Sequence, residues 1–285
     1  MRAASRLGLA LALAAPAARS HAQALLIAPS AIAIDARTRT GTVTLVNTGD
    51  QPAEVSLATR FGFPVTDSTG AMVLRTFDVA DDTMPSAASW VRTFPEKLVL
   101  APGARRTVRV LVTPPPGLPD GEYWTRLVVT SRAAAPQRVA VDSAAAPGVQ
   151  IGVALEIRSM LGLYFRVGKV QTGIALGTPT VALTRDSITA RLSMTRTGNA
   201  AFVGSLVATL RDQAGAVHGT QTLPLGVYYA MTPTVSVPRV GLPQGRYTLT
   251  IEARAERPDV PASVLLPAAP ARAESAVEIA ASTSP

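Results

Sequence analysis

The most regular hydrophobic pattern in the chain runs from Val149 to Phe165. Apolar residues alternate with other residues along this segment, and only Ser159 breaks the apolar series. A period of two is typical of a β-strand, because successive side chains point to opposite faces. The pattern therefore predicts one long strand with a continuous apolar row, made of Val149, Ile151, Val153, Leu155, Ile157, Leu161, Leu163 and Phe165.

The length of this predicted strand is itself informative. Strands in globular proteins usually have about 3–10 residues, so this strand is expected to extend beyond the sheet that holds it. An exposed apolar strand promotes aggregation unless another element covers it. Covering this strand, or offering it to another protein, is the first function that the pattern suggests. The alternative is that the row fills the core of its own domain.

Short segments rich in β-branched residues recur along the rest of the chain. Examples are Thr42–Val46, Thr107–Val112 and Tyr123–Thr130, and residues typical of turns lie between these segments. Strands at this spacing are typical of β-sandwiches, and helical periodicity is nearly absent beyond the N-terminal segment. The Ala- and Pro-rich stretch from Ala133 to Pro147 predicts a flexible loop ahead of the long strand.

The second half of the chain repeats features of the first half. Leu118–Tyr123 reads Leu-Pro-Asp-Gly-Glu-Tyr, Leu242–Tyr247 reads Leu-Pro-Gln-Gly-Arg-Tyr, and each precedes a predicted strand. Glycine suits a tight turn in both copies, and the tyrosine is expected to pack near the start of the strand. The repeat predicts an all-β fold with two immunoglobulin-like β-sandwich domains in tandem. The predicted domains are residues 25–167 and 168–285, with a hinge near Val167–Thr172.

The first 24 residues have the features of a signal peptide. Two arginines precede an apolar stretch from Leu7 to Ala18, and small-x-small motifs then end at Ala22 and Ala24. The apolar stretch is too short for a stable membrane span, which needs about 20 residues, and no later segment reaches that length. We therefore expect a periplasmic protein without a membrane span, cleaved after Ala22 or Ala24.

Composition narrows the function classes further. The chain has no cysteine, so an exported protein of this kind depends on its apolar core rather than on disulfides. The formal net charge of +8 falls to about +5 once the three arginines of the signal peptide are removed. The basic residues are scattered and only 5% of residues are aromatic, a composition that argues against nucleic-acid binding.

Catalytic and metal-binding patterns are weak. His218 is the only histidine beyond the signal peptide, and no Gly-x-Ser-x-Gly motif accompanies it. One histidine cannot form a His-rich metal site. Asp78, Asp81 and Asp82 form a small acidic cluster, but they lack the spacing of a calcium loop, and a solvated loop is the simpler interpretation. We expect a protein that is not an enzyme, with no catalytic residue, metal or cofactor.

The order of the segments resembles the periplasmic pilus and fimbrial assembly chaperone family (PapD-like) over nearly the whole mature chain. Pro29–Asp35 is similar to the family's opening strand and Thr42–Asn47 to its second strand. Pro95–Gly103 follows the middle section of the family, and Asp120–Tyr123 matches the approach to the sixth strand. The long strand that ends with Leu163–Arg166 resembles the family's G1 strand.

The resemblance implies a chaperone that caps an incomplete pilin-like subunit during pilus assembly and fimbrium biogenesis. In this family the G1 strand completes the subunit's sandwich, a mode of protein binding called donor-strand complementation. By position, Val153, Leu155 and Ile157 match the family's donor residues. The implied partners are a pilin-like secreted subunit and an outer-membrane usher.

Two charged anchors of the family are missing here. The family holds the subunit's C-terminal carboxylate with an arginine and a lysine, and these positions fall on Ala31 and Gly162. Arg158 and Arg166 lie nearby in sequence and are candidate anion contacts, although neither matches an anchor. The carboxylate clamp is therefore absent, relocated or replaced. The alternative to a chaperone is a non-catalytic two-domain structural or adhesion module of the cell envelope.

Overall fold

A computed structural model describes residues 25–81, 83–134, 137–140, 150–153 and 155–280, with the backbone alone for residues 137–140 and 150–153. The expected signal peptide therefore lies outside the described residues. Within these ranges every helix or strand element is a β-strand, which confirms the all-β fold class. No helix in the described part of the chain is long and apolar enough to cross a membrane.

The strands follow one another in two groups. The first group is β1 Leu25–Ala28, β2 Ala31–Asp35, β3 Thr40–Asn47, β4 Ala53–Thr66, β5 Met72–Phe77, β6 Val91–Phe94, β7 Lys97–Leu100, β8 Arg105–Val112, β9 Gly121–Ala133, β10 Gln137–Ala140, β11 Gln150–Val153 and β12 Glu156–Val167. The second group is β13 Thr172–Leu176, β14 Thr180–Leu183, β15 Ser187–Arg191, β16 Met194–Gly198, β17 Phe202–Asp212, β18 Val217–Val227, β19 Ala230–Met231, β20 Thr234–Pro238, β21 Gly245–Arg254 and β22 Ala271–Ile279.

The first group forms a sandwich of two sheets. Sheet A has the order β1-β3-β8-β6, and sheet B has the order β2-β12-β9-β4-β5, with β7 also paired to β4. Alternation along each strand sends one face inward, as in β8, where Val108 and Val110 are buried and Arg109 is exposed. The core between the sheets includes Val43, Leu45, Val55, Leu100, Leu127, Leu161, Leu163 and Phe165.

The second group forms a separate sandwich. Its largest sheet has the order β18-β17-β21-β22, and two smaller sheets have the orders β13-β16-β19 and β14-β15-β20. Its core includes Ile188, Leu192, Phe202, Leu206, Leu225, Val235, Leu249 and Ile251. The two sandwiches thus have cores of their own, as the tandem fold requires. The boundary at residue 167 stays a prediction.

The repeated Leu-Pro-x-Gly-x-Tyr turn has the same geometry in both sandwiches. The hydroxyl of Tyr123 donates a hydrogen bond to the carbonyl of Pro119 at 3.1 Å, and Tyr247 donates to Pro243 at 2.8 Å. Such a bond from a tyrosine back to the turn before its own strand is a recurrent feature of immunoglobulin-like sandwiches. The internal repeat read from the sequence is therefore also a repeat in structure.

A third apolar cluster joins the two sandwiches. It contains Ala31, Phe61, Phe63, Trp124 and Tyr164 from the first sandwich, and Ala201, Val203, Tyr228 and Val264 from the second. The turn between β4 and β5 also contacts the second sandwich. There the amide of Thr234 donates to the carbonyl of Gly70 at 2.9 Å, and its hydroxyl donates to the carbonyl of Thr69 at 3.1 Å.

The connection between the sandwiches is tied by Asn199. Its side-chain amide donates to the carbonyls of Asp120 at 3.1 Å and Lys169 at 2.9 Å. Its side-chain oxygen accepts a hydrogen bond from the amide of Gln171 at 2.8 Å. The predicted hinge, Val167–Thr172, is therefore held by hydrogen bonds between its backbone and the side chain of Asn199.

Two sequence predictions around the long strand need correction. The alternating segment forms two strands, β11 and β12, rather than one continuous strand. Part of the predicted loop is also a strand, because β10 pairs antiparallel with β11, from Gln137 opposite Val153 to Ala140 opposite Gln150. This ladder satisfies the backbone groups that the two segments turn toward each other, and the Ala- and Pro-rich composition gives no sign of this pairing.

Candidate functional site

Strand β12 is paired unequally on its two sides. On one side it pairs with β9 from Glu156 to Val167. On the other side it pairs parallel with β2, but only from Gly162 to Arg166. Among the described residues, Glu156–Leu161 therefore has no strand on that side. We call this segment the open edge. About half of its backbone N–H and C=O groups point to the unpaired side and can bond to another strand.

The apolar row of β12 passes from exposed to buried along the strand. Leu155, directly before the strand, is 59% exposed, whereas Leu163 is 0% exposed. Ile157 lies between these extremes and is half-buried. The inner part of the row fills the core of its own sandwich, but the outer part does not. Leu155 and Ile157 are therefore available to another protein at the open edge.

A groove lies beside the open edge. It has a volume of about 360 Å³ and lies between β1 of sheet A and strands β9 and β12 of sheet B, at the mouth of the sandwich. Leu25, Leu26, Val129 and Ile157 supply its apolar lining, and Thr48, Ser131 and Ser159 supply its polar groups. An apolar side chain from a strand paired with the open edge can enter this groove.

The three predicted donor residues do not lie on one strand. Val153 ends β11, where its backbone lies opposite Gln137, and only its backbone is described. Leu155 lies between β11 and β12, and Ile157 is the second residue of β12. The structure thus brings Leu155 and Ile157 to the open edge, and the donor role of all three residues stays a prediction.

The two candidate anion contacts both have partners. Arg158 donates from Nε to Glu156 at 2.7 Å, in an exposed ion pair. Arg166 donates from Nε to Glu122 at 2.8 Å, and it also donates to the carbonyls of Ser263 and Val264 in the second sandwich. Arg166 therefore joins the sandwiches through several of its donors. An anion role for either arginine stays a prediction.

Glu122 is the ion-pair partner of Arg166 within the first sandwich, and it also reaches the second sandwich through a hydrogen bond. Its carboxylate is almost fully buried, and it accepts a hydrogen bond from the amide of Ala201 at 3.1 Å. Burial raises the pKa of Glu122, and the opposing effects of Arg166 and the Ala201 amide do not cancel that shift. The pair is therefore a buried connection of the kind that is costly to break from one side.

The two uncharged anchor positions lie next to a cation that the sequence analysis missed. Ala31 and Gly162 are direct neighbours across β2 and β12, and Arg126 is the neighbour of Gly162 on β9. A Cβ atom on Gly162 would lie 3.1 Å from Nη1 of Arg126 and 2.9 Å from the ring of Tyr164. Glycine suits this position because any larger residue would have to displace the guanidinium or the ring.

Arg126 is held by neutral partners. It is only 8% exposed, and it donates from Nε to the carbonyl of Gly62 at 3.0 Å and from Nη2 to the hydroxyl of Tyr228 at 2.9 Å. The Tyr228 hydroxyl in turn donates to that of Tyr164 at 2.7 Å. Burial opposes the charged form of Arg126, but the two phenols outweigh it and raise the pKa of Arg126.

A sequence signal for Arg126 exists in retrospect. The residue alternates with Thr125 and Leu127 in a strand of mostly buried residues, on the same face as Trp124. An arginine at such a position is rarely buried without a partner. Within the described residues no carboxylate forms an ion pair with Arg126, and its partners Gly62 and Tyr228 are far from it in sequence.

The structure shows no metal site of the usual kind in its described ranges, since no group of three acidic or histidine side chains there could hold an ion.

Comparisons with known proteins find similar solved structures but no similar sequence. No family model and no curated protein matches the sequence. Solved structures of chaperones do match. One is the CupB2 chaperone of Pseudomonas aeruginosa, with 12% identity, a TM-score of 0.42, and coverage of 90% of this chain and 100% of that chain. The chain is similar to this structure in fold.

Two further matches are chaperones solved with a second protein. The CsuC–CsuE chaperone–tip adhesion subunit complex of Acinetobacter baumannii has 12% identity, a TM-score of 0.45, and coverage of 88% of this chain and 98% of that chain. The SafB chaperone of Salmonella enterica, in complex with the SafA pilin, has 14% identity, a TM-score of 0.38, and coverage of 81% and 91%.

Proposed function

We propose that this protein is a non-catalytic periplasmic chaperone that binds and caps an incomplete pilin-like subunit. The observation that carries the proposal is the open edge of β12, which combines unpaired backbone groups with the exposed end of an apolar row. A subunit that lacks one strand of its own sandwich has the complementary surface. Its edge strand pairs with Glu156–Leu161, and donor-strand complementation results.

Leu155 and Ile157 supply the apolar part of this binding. Full burial of such a side chain contributes roughly 1.5–3 kcal/mol relative to full exposure. Leu155, at 59% exposed, gains most of the burial available to it, and the half-buried Ile157 gains less. The subunit's strand also satisfies the backbone groups of the open edge, which water satisfies in the free protein.

The decisive experiment uses Leu155→Asp in cells that also express a pilin-like subunit lacking its last strand. We expect the unmodified chain to keep the subunit soluble and to copurify with it, whereas Leu155→Asp fails to do so. Leu183→Asp is the matched control, since Leu183 is also exposed but lies in the second sandwich, on β14. Its binding of the subunit should be unchanged.

Two results would count against the proposal. If Leu155→Asp unfolds on its own, the residue belongs to the core and the open edge is not a donor site. If both variants retain the subunit equally, the contact lies elsewhere. Cosedimentation with cell envelopes regardless of either substitution would instead favour a structural or adhesion module.

A further inference from the structure

Sheet A carries positive charge without negative charge. Its four strands contain Arg92, Arg105, Arg106 and Arg109, and they contain no Asp or Glu. All four arginines are exposed. Sheet B is different, because four of its arginines form ion pairs with carboxylates: Arg60 with Asp78, Arg132 with Glu54, Arg158 with Glu156 and Arg166 with Glu122.

The arginines of sheet A make few contacts of their own. Arg92 donates to the carbonyls of Ser89 and Val91, and thus to its own turn and strand. The side chains of Arg105, Arg106 and Arg109 form no hydrogen bond or ion pair within the described residues. Their guanidinium groups are therefore free to bind anions from outside the molecule.

Three of these charges, Arg92, Arg105 and Arg109, share one face of the sheet with two exposed apolar side chains. Arg105 and Arg109 point outward from β8, since the alternating Val108 and Val110 point into the core. Phe94 on β6 lies directly opposite Arg109 and is 55% exposed. At the other edge of the sheet, Leu26 on β1 lies opposite the outward Val46 and is 57% exposed.

We propose that the outer face of sheet A docks on an anionic lipid surface. Guanidinium groups bind phosphate oxygens through paired hydrogen bonds. A fluid lipid layer can bring a phosphate to each arginine, whereas a protein partner needs carboxylates fixed at matching positions. Phe94 and Leu26, at opposite edges of the face, enter the interfacial region as apolar anchors do. The docking face belongs to sheet A and the open edge to sheet B. Leu26 is the one residue of the face that also lines the groove beside the open edge, so the variants that test the face leave Leu26 unchanged.

Cosedimentation with vesicles tests this proposal on the mature chain. We expect binding to vesicles with about 30% phosphatidylglycerol and little binding to pure phosphatidylcholine, since each basic residue near an anionic surface strengthens binding severalfold. Arg92→Gln, Arg105→Gln and Arg109→Gln together should weaken binding by at least about tenfold. Raising the salt concentration to about 0.5 M should also release the protein.

The matched control removes three exposed charges elsewhere. Lys169→Gln, Arg185→Gln and Arg246→Gln lower the net charge equally, but these residues lie after β12 or in the second sandwich. Binding by the control should fall by less than about threefold. Equal losses in the two variants would overturn the docking face, because they would show attraction through net charge alone.

Further experiments distinguish a lipid surface from a soluble phosphate or an acidic protein as the source of the anion. Soluble glycerol phosphate at millimolar concentration should not compete, and complete competition would indicate a single-anion pocket instead of a docking surface. Binding to polyglutamate without binding to vesicles would overturn the lipid surface in favour of an acidic protein. Phe94→Ser should weaken vesicle binding severalfold without changing its salt dependence, and an unchanged affinity would contradict the anchoring role.

Discussion

The two halves of β12 share one apolar pattern but differ in what covers them. From Gly162 to Arg166 the strand has neighbours on both sides, whereas in the part of the chain that the structure describes the open edge pairs only with β9. The difference originates in the N-terminal strands. Residues 31–35 pair with β12 as β2, but the preceding Leu25–Ala28 pairs with β3 in sheet A as β1. Because the chain changes sheets between β1 and β2, β2 covers only the inner half of β12, and within the described ranges the outer half pairs with β9 alone.

The largest expected effect contrasts the inner and outer parts of the apolar row. Leu163→Asp places a carboxylate at a position that is 0% exposed, and it should destabilise the fold by more than about 3 kcal/mol. Leu155→Asp should change the free energy of unfolding by less than about 1 kcal/mol. Urea denaturation of both variants measures the difference. Similar losses in the two variants would mean that the halves of β12 do not differ.

The next effect concerns the buried cation beside the inner half. Arg126→Met removes two hydrogen bonds from a charged donor and should cost about 2–4 kcal/mol. Arg158→Met is the control at the open edge, since its exposed ion pair with Glu156 should contribute less than about 1 kcal/mol. Thermal unfolding monitored by circular dichroism tests both variants. An equal cost would show that Arg126 does not join the sandwiches.

A smaller effect is expected from the subunit's carboxyl terminus. The anchor positions Ala31 and Gly162 carry no charge, and the neighbouring Arg126 is bonded to Gly62 and Tyr228. Amidation of the carboxyl terminus of a bound subunit peptide should therefore change affinity by less than about tenfold, or roughly 1.4 kcal/mol. Calorimetric titration gives both affinities. A much larger loss would show that a basic residue such as Arg158 or Arg126 binds the carboxylate.

The smallest expected effect is a pH dependence of the free energy of unfolding, caused by Glu122, the ion-pair partner of Arg166 on β12. Burial raises the pKa of Glu122 in the folded protein, so the folded state binds this proton more tightly than the unfolded state does. The contribution of Glu122 to stability therefore falls as the pH rises from about 4 through its folded pKa. The test measures the free energy of unfolding of the natural chain and of Glu122→Gln at several pH values. We expect the stability of the natural chain relative to the variant to fall as the pH rises. The opposite trend would mean that Arg166 lowers the pKa.

Local patterns in the sequence predicted the parts of this fold that depend on local physics. Alternation identified the apolar row of β12, because side-chain direction in a strand depends only on residue parity. The Leu-Pro-x-Gly-x-Tyr repeat identified the two sandwiches, because each tyrosine bonds within its own turn. The strands of the structure confirm the all-β fold class that these patterns predict.

The pairing of distant strands could not be read in the same way. Nothing near Gly162 indicates that β2 stops beside it, and nothing near Arg126 indicates that Tyr228 accepts its hydrogen bond. The open edge and the buried cation both depend on such contacts between segments far apart in sequence. Val153, Leu155 and Ile157 were placed by their position on the strand, and their donor role awaits the experiments above.

The hydrogen bonds that join the two sandwiches near the inner end of β12 have a thermodynamic consequence. Arg166 bonds to Ser263, Glu122 to Ala201 and Arg126 to Tyr228, so each connects the first sandwich to the second. Local melting of one sandwich would break all three contacts, and we therefore expect one cooperative calorimetric transition rather than two. A ligand bound at the open edge would then raise the melting temperature of both sandwiches together, including the one that it does not touch.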